Sequence, residues 1–197
     1  MKKLAVYLVL AIALAAAASG DVIVTLNSGP VSNLPNFDWT YTATLKSGSS
    51  MSNGDFFTIY DIGGFGPGFP ILNPVILPGS NWVSSIQFLG IDGFNQVPPD
   101  SPSLYNLTFT FTGASPIVAV NDVLLGGGAG AFGYTSSSSR SVTGAFAATS
   151  RATVGGAFQG NTSSVTVAGS PVPEPATILL SAGGLIALGL LRRRPEG

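Results

Sequence analysis

The sequence predicts an all-β protein, an antiparallel β-sandwich domain flanked by an N-terminal signal helix and a C-terminal transmembrane helix. Three observations carry this expectation. Aromatic and aliphatic residues alternate with polar ones at period two across 37–45 and again across 107–112, the pattern of a strand with one buried face. Turn chemistry recurs at short intervals, at Asn53-Gly54, Gly63-Gly64, Gly66-Pro67-Gly68, Asp92-Gly93 and Pro98-Pro99. Apolar runs bordered by cations stand at both ends, with Lys2 and Lys3 before the first and Arg192, Arg193 and Arg194 after the second.

Residues 1–20 read as a secretory signal. Lys2 and Lys3 form its charged start, 4–14 its apolar centre and 15–20 its small-residue region. Cleavage after Ala18 places Ala16 and Ala18 at the two small positions, and cleavage after Gly20 uses Ala18 and Gly20. Export machinery of the Sec type is the implied partner.

Residues 21–170 form the expected exported domain, long enough for one core. Strands are expected at 22–26, 37–45, 56–62, 82–89, 107–112, 117–125, 141–149, 152–158 and 163–168. Eight or nine short strands at this spacing indicate an antiparallel sandwich or barrel. The stretch from 126 to 170 is poor in large residues and carries the run Ser136 to Ser139, so it is expected to be flatter, looser or partly linker. Three cations (Lys46, Arg140, Arg151) face seven aspartates in this domain, a net charge of −4, which argues against nucleic acid as a partner. The chain has no cysteine, so the domain must be held by packing alone.

The absence of histidine as well as cysteine excludes Ser-His-Asp and Cys-His nucleophilic chemistry and the usual zinc sites. Asp55 and Asp61 could stand at opposite ends of one strand, and Asp92 and Asp100 flank a loop; the first pair is the nearest approach to a hydrolase's two carboxylates. Turn aspartates more often cap the backbone. Lys46 beside Ser47 and Ser49 suggests a Ser-Lys dyad, against the commoner solvated lysine at a strand end. Asn53, Asp55, Asp92, Asn95 and Asp100 are oxygen ligands of the kind calcium takes, without the spacing of an EF-hand. Gly126-Gly127-Gly128 and Gly155-Gly156 lack the Gly-Lys-Ser/Thr of a phosphate loop and read as β turns or spacers. The threonine arrays at 40–44 and 108–112 would suit an ice or sugar surface if the two strands lay side by side, flat and exposed; otherwise threonine is simply favoured on strand surfaces.

The C-terminal stretch combines Val172-Pro173-Glu174-Pro175, an apolar run over 178–191 and the arginines at 192–194. Pro173 and Pro175 fix φ and lack amide donors, so residues 171–177 should run extended, a shape suited to an enzyme groove. A helix over the apolar run rises about 21 Å against a hydrocarbon core of about 30 Å. Its eight Leu and Ile residues supply about −4 kcal/mol, while dragging three arginines across would cost on the order of 8–10 kcal/mol. The segment 178–194 is thus a short membrane anchor with a cytoplasmic stop. This order resembles the PEP-CTERM sorting signal of Gram-negative bacteria. The resemblance implies recognition of Pro173-Glu174-Pro175 by an exosortase-type membrane enzyme, cleavage near the motif and delivery to the cell surface. The stretches 56–61 and 106–113 are similar to segments of small PEP-CTERM proteins and bring no known activity with them.

The function expected is that of a non-enzymatic surface or extracellular-matrix protein without cofactor or metal. It would be anchored in the inner membrane with its domain in the periplasm, then delivered outside. The alternative is a carbohydrate- or surface-binding module, exopolysaccharide being the partner, with Phe65, Phe69 or Trp82 stacking on sugar. A hydrolase built on Asp55 or Asp61 is the third reading.

Overall fold

The computed structural model describes residues 21–72, 81–91 and 98–170. In chain order the strands are β1 (Val22–Asn33), β2 (Asn36–Leu45), β3 (Ser49–Met51), β4 (Phe56–Ile62), β5 (Ile71–Leu72) and β6 (Trp82–Gln87). They continue as β7 (Tyr105–Phe111), β8 (Ile117–Val118), β9 (Val123–Leu124), β10 (Phe132–Ser136), β11 (Ser141–Ala152) and β12 (Phe158–Ala168). One sheet runs β1-β2-β10-β5, with β9 also on β2; the other runs β6-β7-β4-β11-β3-β8, with β12 beyond β11. The register is antiparallel throughout. The all-β, antiparallel expectation holds. The two terminal helices lie outside the described residues.

The period-two pattern of β2 sorts its side chains as alternation requires. Trp39, Tyr41, Ala43 and Leu45 are fully buried, while Thr40, Thr42 and Thr44 stay partly exposed on the other face. Across the interior, Phe132 of β10 meets Phe57 at 4.9 Å, Trp82 at 5.0 Å and Phe109 at 5.0 Å, all edge-on. Those three rings come from the second sheet, so one aromatic cluster joins the layers.

Several expected boundaries shift for identifiable reasons. β1 continues past 26 to Asn33 because its polar end pairs with the start of β2, down to Asn33 opposite Asn36. The expected strand over 117–125 divides: β8 pairs with β3 in one sheet and β9 with β2 in the other, so this segment crosses between layers. The expected strand over 152–158 is mostly a turn, where Gly155 (φ 81°) and Gly156 (φ 62°) supply left-handed backbone.

The expectation of a loose C-terminal third is wrong. β11 and β12 pair along eleven residues, from Ser141 opposite Ala168 to Arg151 opposite Phe158, and β11 also carries β4 and β3. Small residues are what this crowded position accepts. Ser136 to Ser139 are no linker either. The Ser136 hydroxyl donates to the Gly63 carbonyl (2.7 Å) and receives the Ser138 amide (3.0 Å), while the Trp39 indole donates to the Ser138 carbonyl (3.3 Å).

The end of β12 is clamped into the first sheet. The Ala168 amide donates to the Tyr134 hydroxyl (3.0 Å), the Tyr41 hydroxyl donates to the Thr166 carbonyl (2.9 Å), and the two hydroxyls are 2.9 Å apart. Since Tyr41 spends its one proton on Thr166, Tyr134 donates to Tyr41. The Gly63 amide takes the Ala168 carbonyl (2.7 Å), and the Gly169 amide donates to Arg140 (2.7 Å). A Cβ at Gly63 would lie 2.1 Å from the Gly169 carbonyl carbon, so a side chain is excluded where the two backbones pass.

Candidate functional site

Many residues singled out from the sequence fall outside the described part: Ala18 and Gly20 at the signal end, Val172, Pro173, Glu174 and Pro175 of the sorting motif, and Arg192, Arg193 and Arg194. Asp92 and Asn95 do as well. Among the described residues no helix is long and apolar enough to cross a membrane. The fold nevertheless sets where the tail begins. Gly169 is buried and held by Arg140, so Pro173 follows the last anchored residue by four positions, at most about 14 Å of chain.

The described aspartates are committed to local structure. Asp55 sits at the start of β4, 1% exposed, accepting the Ser52 amide (2.7 Å) and the Arg151 Nε (3.3 Å). The Arg151 guanidinium lies 3.7 Å over the Phe158 ring. Asp61 is at the other end of β4, as the sequence implied, so the two carboxylates do not share a site. Asp100 accepts the Gly90 amide and the Asn106 side chain, both at 2.8 Å. Asn53 donates to the Thr112 carbonyl (3.1 Å). The calcium set is therefore dispersed, with Asn53 and Asp55 at one end of β4 and Asp100 bound at the other. Among the described residues no three acidic side chains converge. Lys46 forms an ion pair with Asp122, which also accepts the Ser47 amide (3.0 Å) and is held below the usual carboxylate range by these bonds. The Ser-Lys dyad is thus displaced, since the ammonium points to Asp122 rather than to Ser49, whose buried hydroxyl has no hydrogen-bond partner.

Of the proposed sugar-stacking rings, one is buried and two are partly buried. Phe65 is in the core against Tyr134 (5.1 Å), Trp82 packs among Phe57, Phe111 and Phe132, and Phe69 is partly buried against the core. The core outcompetes the surface for rings of this size. The threonine arrays are likewise separated: 40–44 lies in the first sheet and 108–112 in the second. Thr108 is fully buried, bonded to Thr58 at 2.8 Å. What buries it is the segment after β6. The Ile91 carbonyl accepts from Tyr60 (2.7 Å) and Thr58 (3.2 Å), and the Phe88 carbonyl from Asn106 (3.0 Å), so this segment lies across the outer face of β4 and β7.

Beside that cover the outer face of the second sheet opens into a cleft of about 440 Å³. β11 contributes Thr143, Gly144 and Ala145, β12 contributes Thr162, Ser163 and Ser164, and Asp61 with Pro98 and Pro99 completes the lining. Asp61 has φ 57°, the one left-handed non-glycine residue among those described, at a register shift between Ile59 and Ile62. Its amide is held by Asn106 Oδ1 (2.7 Å) and its Oδ1 accepts the Ser101 amide (2.8 Å). Burial raises its pKa; the Ser101 bond opposes this, and nearby Asp100 adds to it. Sequence reading placed Asp61 at a strand end and missed the hydroxyls opposite it. Their only trace was the alternation of Thr143 with Ala145 and of Thr162 with Ser164.

No curated protein and no solved structure matches the chain. Residues 171–194 match the family model described as the PEP-CTERM protein-sorting motif, the same residues that carry the Pro-Glu-Pro element, the apolar run and the arginines. The chain thus carries a PEP-CTERM protein-sorting motif at its C-terminal side, behind a β-rich domain whose end is tied into the fold at Gly169, two positions before the matched residues.

Proposed function

We propose that the protein is an exosortase substrate, exported and held in the inner membrane by residues 178–194, then released to the cell surface or extracellular matrix. The single observation that carries this reading is the motif match over 171–194. PEP-CTERM substrates are processed by exosortase, a membrane enzyme, so the partner acts on this chain and not the reverse. Residues 1–20 direct entry through Sec, with cleavage after Ala18 or Gly20, and Arg192 to Arg194 remain cytoplasmic.

The folded domain is non-catalytic in this reading. Support comes from the missing histidine and cysteine and from the separate structural duties of Asp55, Asp61 and Asp100. The clamp on β12 supports the sorting role physically. It keeps the rigid body within a few residues of the motif, so a processing enzyme meets Pro173-Glu174-Pro175 at a short, bounded distance from the fold.

The test is intact-mass analysis of surface and membrane fractions from the native host, for the wild type and Glu174→Ala. Surface protein lacking the first 18 to 20 residues and everything beyond the motif supports the reading, as does retention of Glu174→Ala in the membrane with an unchanged fold. Surface delivery unaffected by Glu174→Ala, or a tail retained through Arg194 on mature protein, overturns it.

A further inference from the structure

We propose that the outer-face cleft between Asp61, Pro98-Pro99 and the strands β11 and β12 is a binding site for a neutral saccharide. The proposal rests on the composition of the cleft, which neither the fold nor the sorting motif requires. Three hydroxyls on the outer face (Thr143, Thr162, Ser164) line it: those of Thr143 and Ser164 can donate and accept, while that of Thr162 already donates to the Phe146 carbonyl (2.7 Å) and is left as an acceptor. Asp61 adds an acceptor whose Oδ1 is already fixed by the Ser101 amide while its other oxygen meets no donor among the described residues. Two proline rings supply the apolar wall on which the C–H face of a pyranose can lie. The volume, about 440 Å³, falls within the about 300–1,000 Å³ typical of small-molecule sites.

The competing ligand classes fit worse. No basic side chain is in the lining, so a phosphate or sulfate would meet only hydroxyls and a carboxylate. A calcium ion takes about six to eight oxygens, mostly charged or carbonyl, and among the described lining residues Asp61 is the one carboxylate. Its raised pKa further weakens it as a cation ligand. An apolar ligand would leave the Thr143 and Ser164 hydroxyls unpaired.

The geometry is built rather than incidental. Asp61 adopts left-handed backbone at the register shift of β4, the arrangement by which a strand re-aims one side chain. Asn106, fully buried, holds that conformation from three sides, binding the Asp61 amide, the Asp100 carboxylate and the Phe88 carbonyl. The floor is rigid because β11 and β12 are paired along their whole length.

The experiment uses the full chain, ¹⁵N-labelled in detergent micelles, titrated with maltotetraose, cellotetraose and tetra-N-acetylchitotetraose at millimolar concentration. Expected are saturable shifts of the Thr143, Ala145, Ser163 and Ser164 amides with at least one probe. Ser164→Arg, at an exposed position, should weaken that binding more than about tenfold by filling the cleft. Asp61→Asn keeps the acceptor for Ser101 and should weaken it about fivefold, since the charge-assisted bond is lost. Absence of any shift at these amides overturns the proposal, as does equal binding by a folded Ser164→Arg protein. Equal shifts with calcium chloride alone or stronger binding of an acidic tetragalacturonide also overturn it, because the site would then be ionic. Sorting does not enter the measurement, so failure here leaves the exosortase reading standing.

Discussion

Removing one phenolic hydroxyl from the clamp between the sheets should cost more than its single hydrogen bond. In Tyr134→Phe the Ala168 amide, on a residue with no exposed surface, loses its acceptor, and Tyr41 loses the proton it received. An orphaned buried donor costs about 1–3 kcal/mol, and the flat ring otherwise keeps its stack on Tyr41 and its contact with Phe65. In Tyr41→Phe the Tyr134 hydroxyl has no acceptor for its proton and the Thr166 carbonyl loses a donor, for a similar cost of about 1–3 kcal/mol. The double variant removes the orphaned hydroxyl along with its partner. Its destabilisation should therefore fall short of the sum of the two by at least about 0.5 kcal/mol. Urea unfolding followed by tryptophan fluorescence measures all three. Strict additivity, or singles below about 0.5 kcal/mol, would refute the chain of hydrogen bonds as drawn.

The same pair sets an alkaline limit. Burial pushes both phenols well above their ordinary range; for Tyr41 the neighbouring Tyr134 adds to the shift, while for Tyr134 the Ala168 amide opposes it. The folded state therefore keeps its phenolic protons to a higher pH than the unfolded chain does. Stability is full below about pH 10 and falls as pH rises beyond it, by up to about 1.4 kcal/mol per pH unit for each tyrosine. Denaturation curves at rising pH should show a shallower fall in Tyr41→Phe.

Substitutions at two further positions probe the core and the tail's anchor point. Asp55→Ala strips the buried partner from Arg151 and the acceptor from Ser52, and should cost about 2–3 kcal/mol; Asp55→Asn, which retains the acceptor, should cost about half as much. Arg151 keeps part of its surface in water, which holds the loss below that of a fully buried pair. Equal losses for both variants in urea would show that the ion pair alone matters. Gly63→Ala puts a methyl 2.1 Å from the backbone of Gly169, where no flexible side chain can give way. It should cost at least about 2 kcal/mol and open the end of β12 to limited proteolysis near residue 168; unaltered protease resistance would argue that the clamp relaxes freely.

The inward-facing residues were largely legible because strand parity is a local property. Trp39, Tyr41, Phe57, Phe109 and Phe111 are buried as period two requires. Parity could not say what lies on the outer side. Thr58, Tyr60 and Thr108 alternate as solvent-facing residues should, yet they are buried because a segment some thirty residues away in sequence from β4 lies over them. Phe65 and Trp82 stand next to turn residues and read as exposed rings, and the aromatic core claimed both. The Asp61 cleft was illegible for the same reason, since its carboxylate, its prolines and its hydroxyls come from four separate stretches of chain.

By itself the sequence determined the all-β class, most strand positions and the sorting tail, because each depends on the order of residues within one short window. The motif at 171–194 is read by its linear pattern and needs no fold to be recognised. Tertiary structure alone decided that the strands expected at 141–149 and 163–168 would lengthen and pair with each other over eleven residues, and that two tyrosines would lock them to the opposite sheet. Small residues have weak preferences of their own. Their place follows from what must pack beside them, and that is a relation between distant parts of the chain.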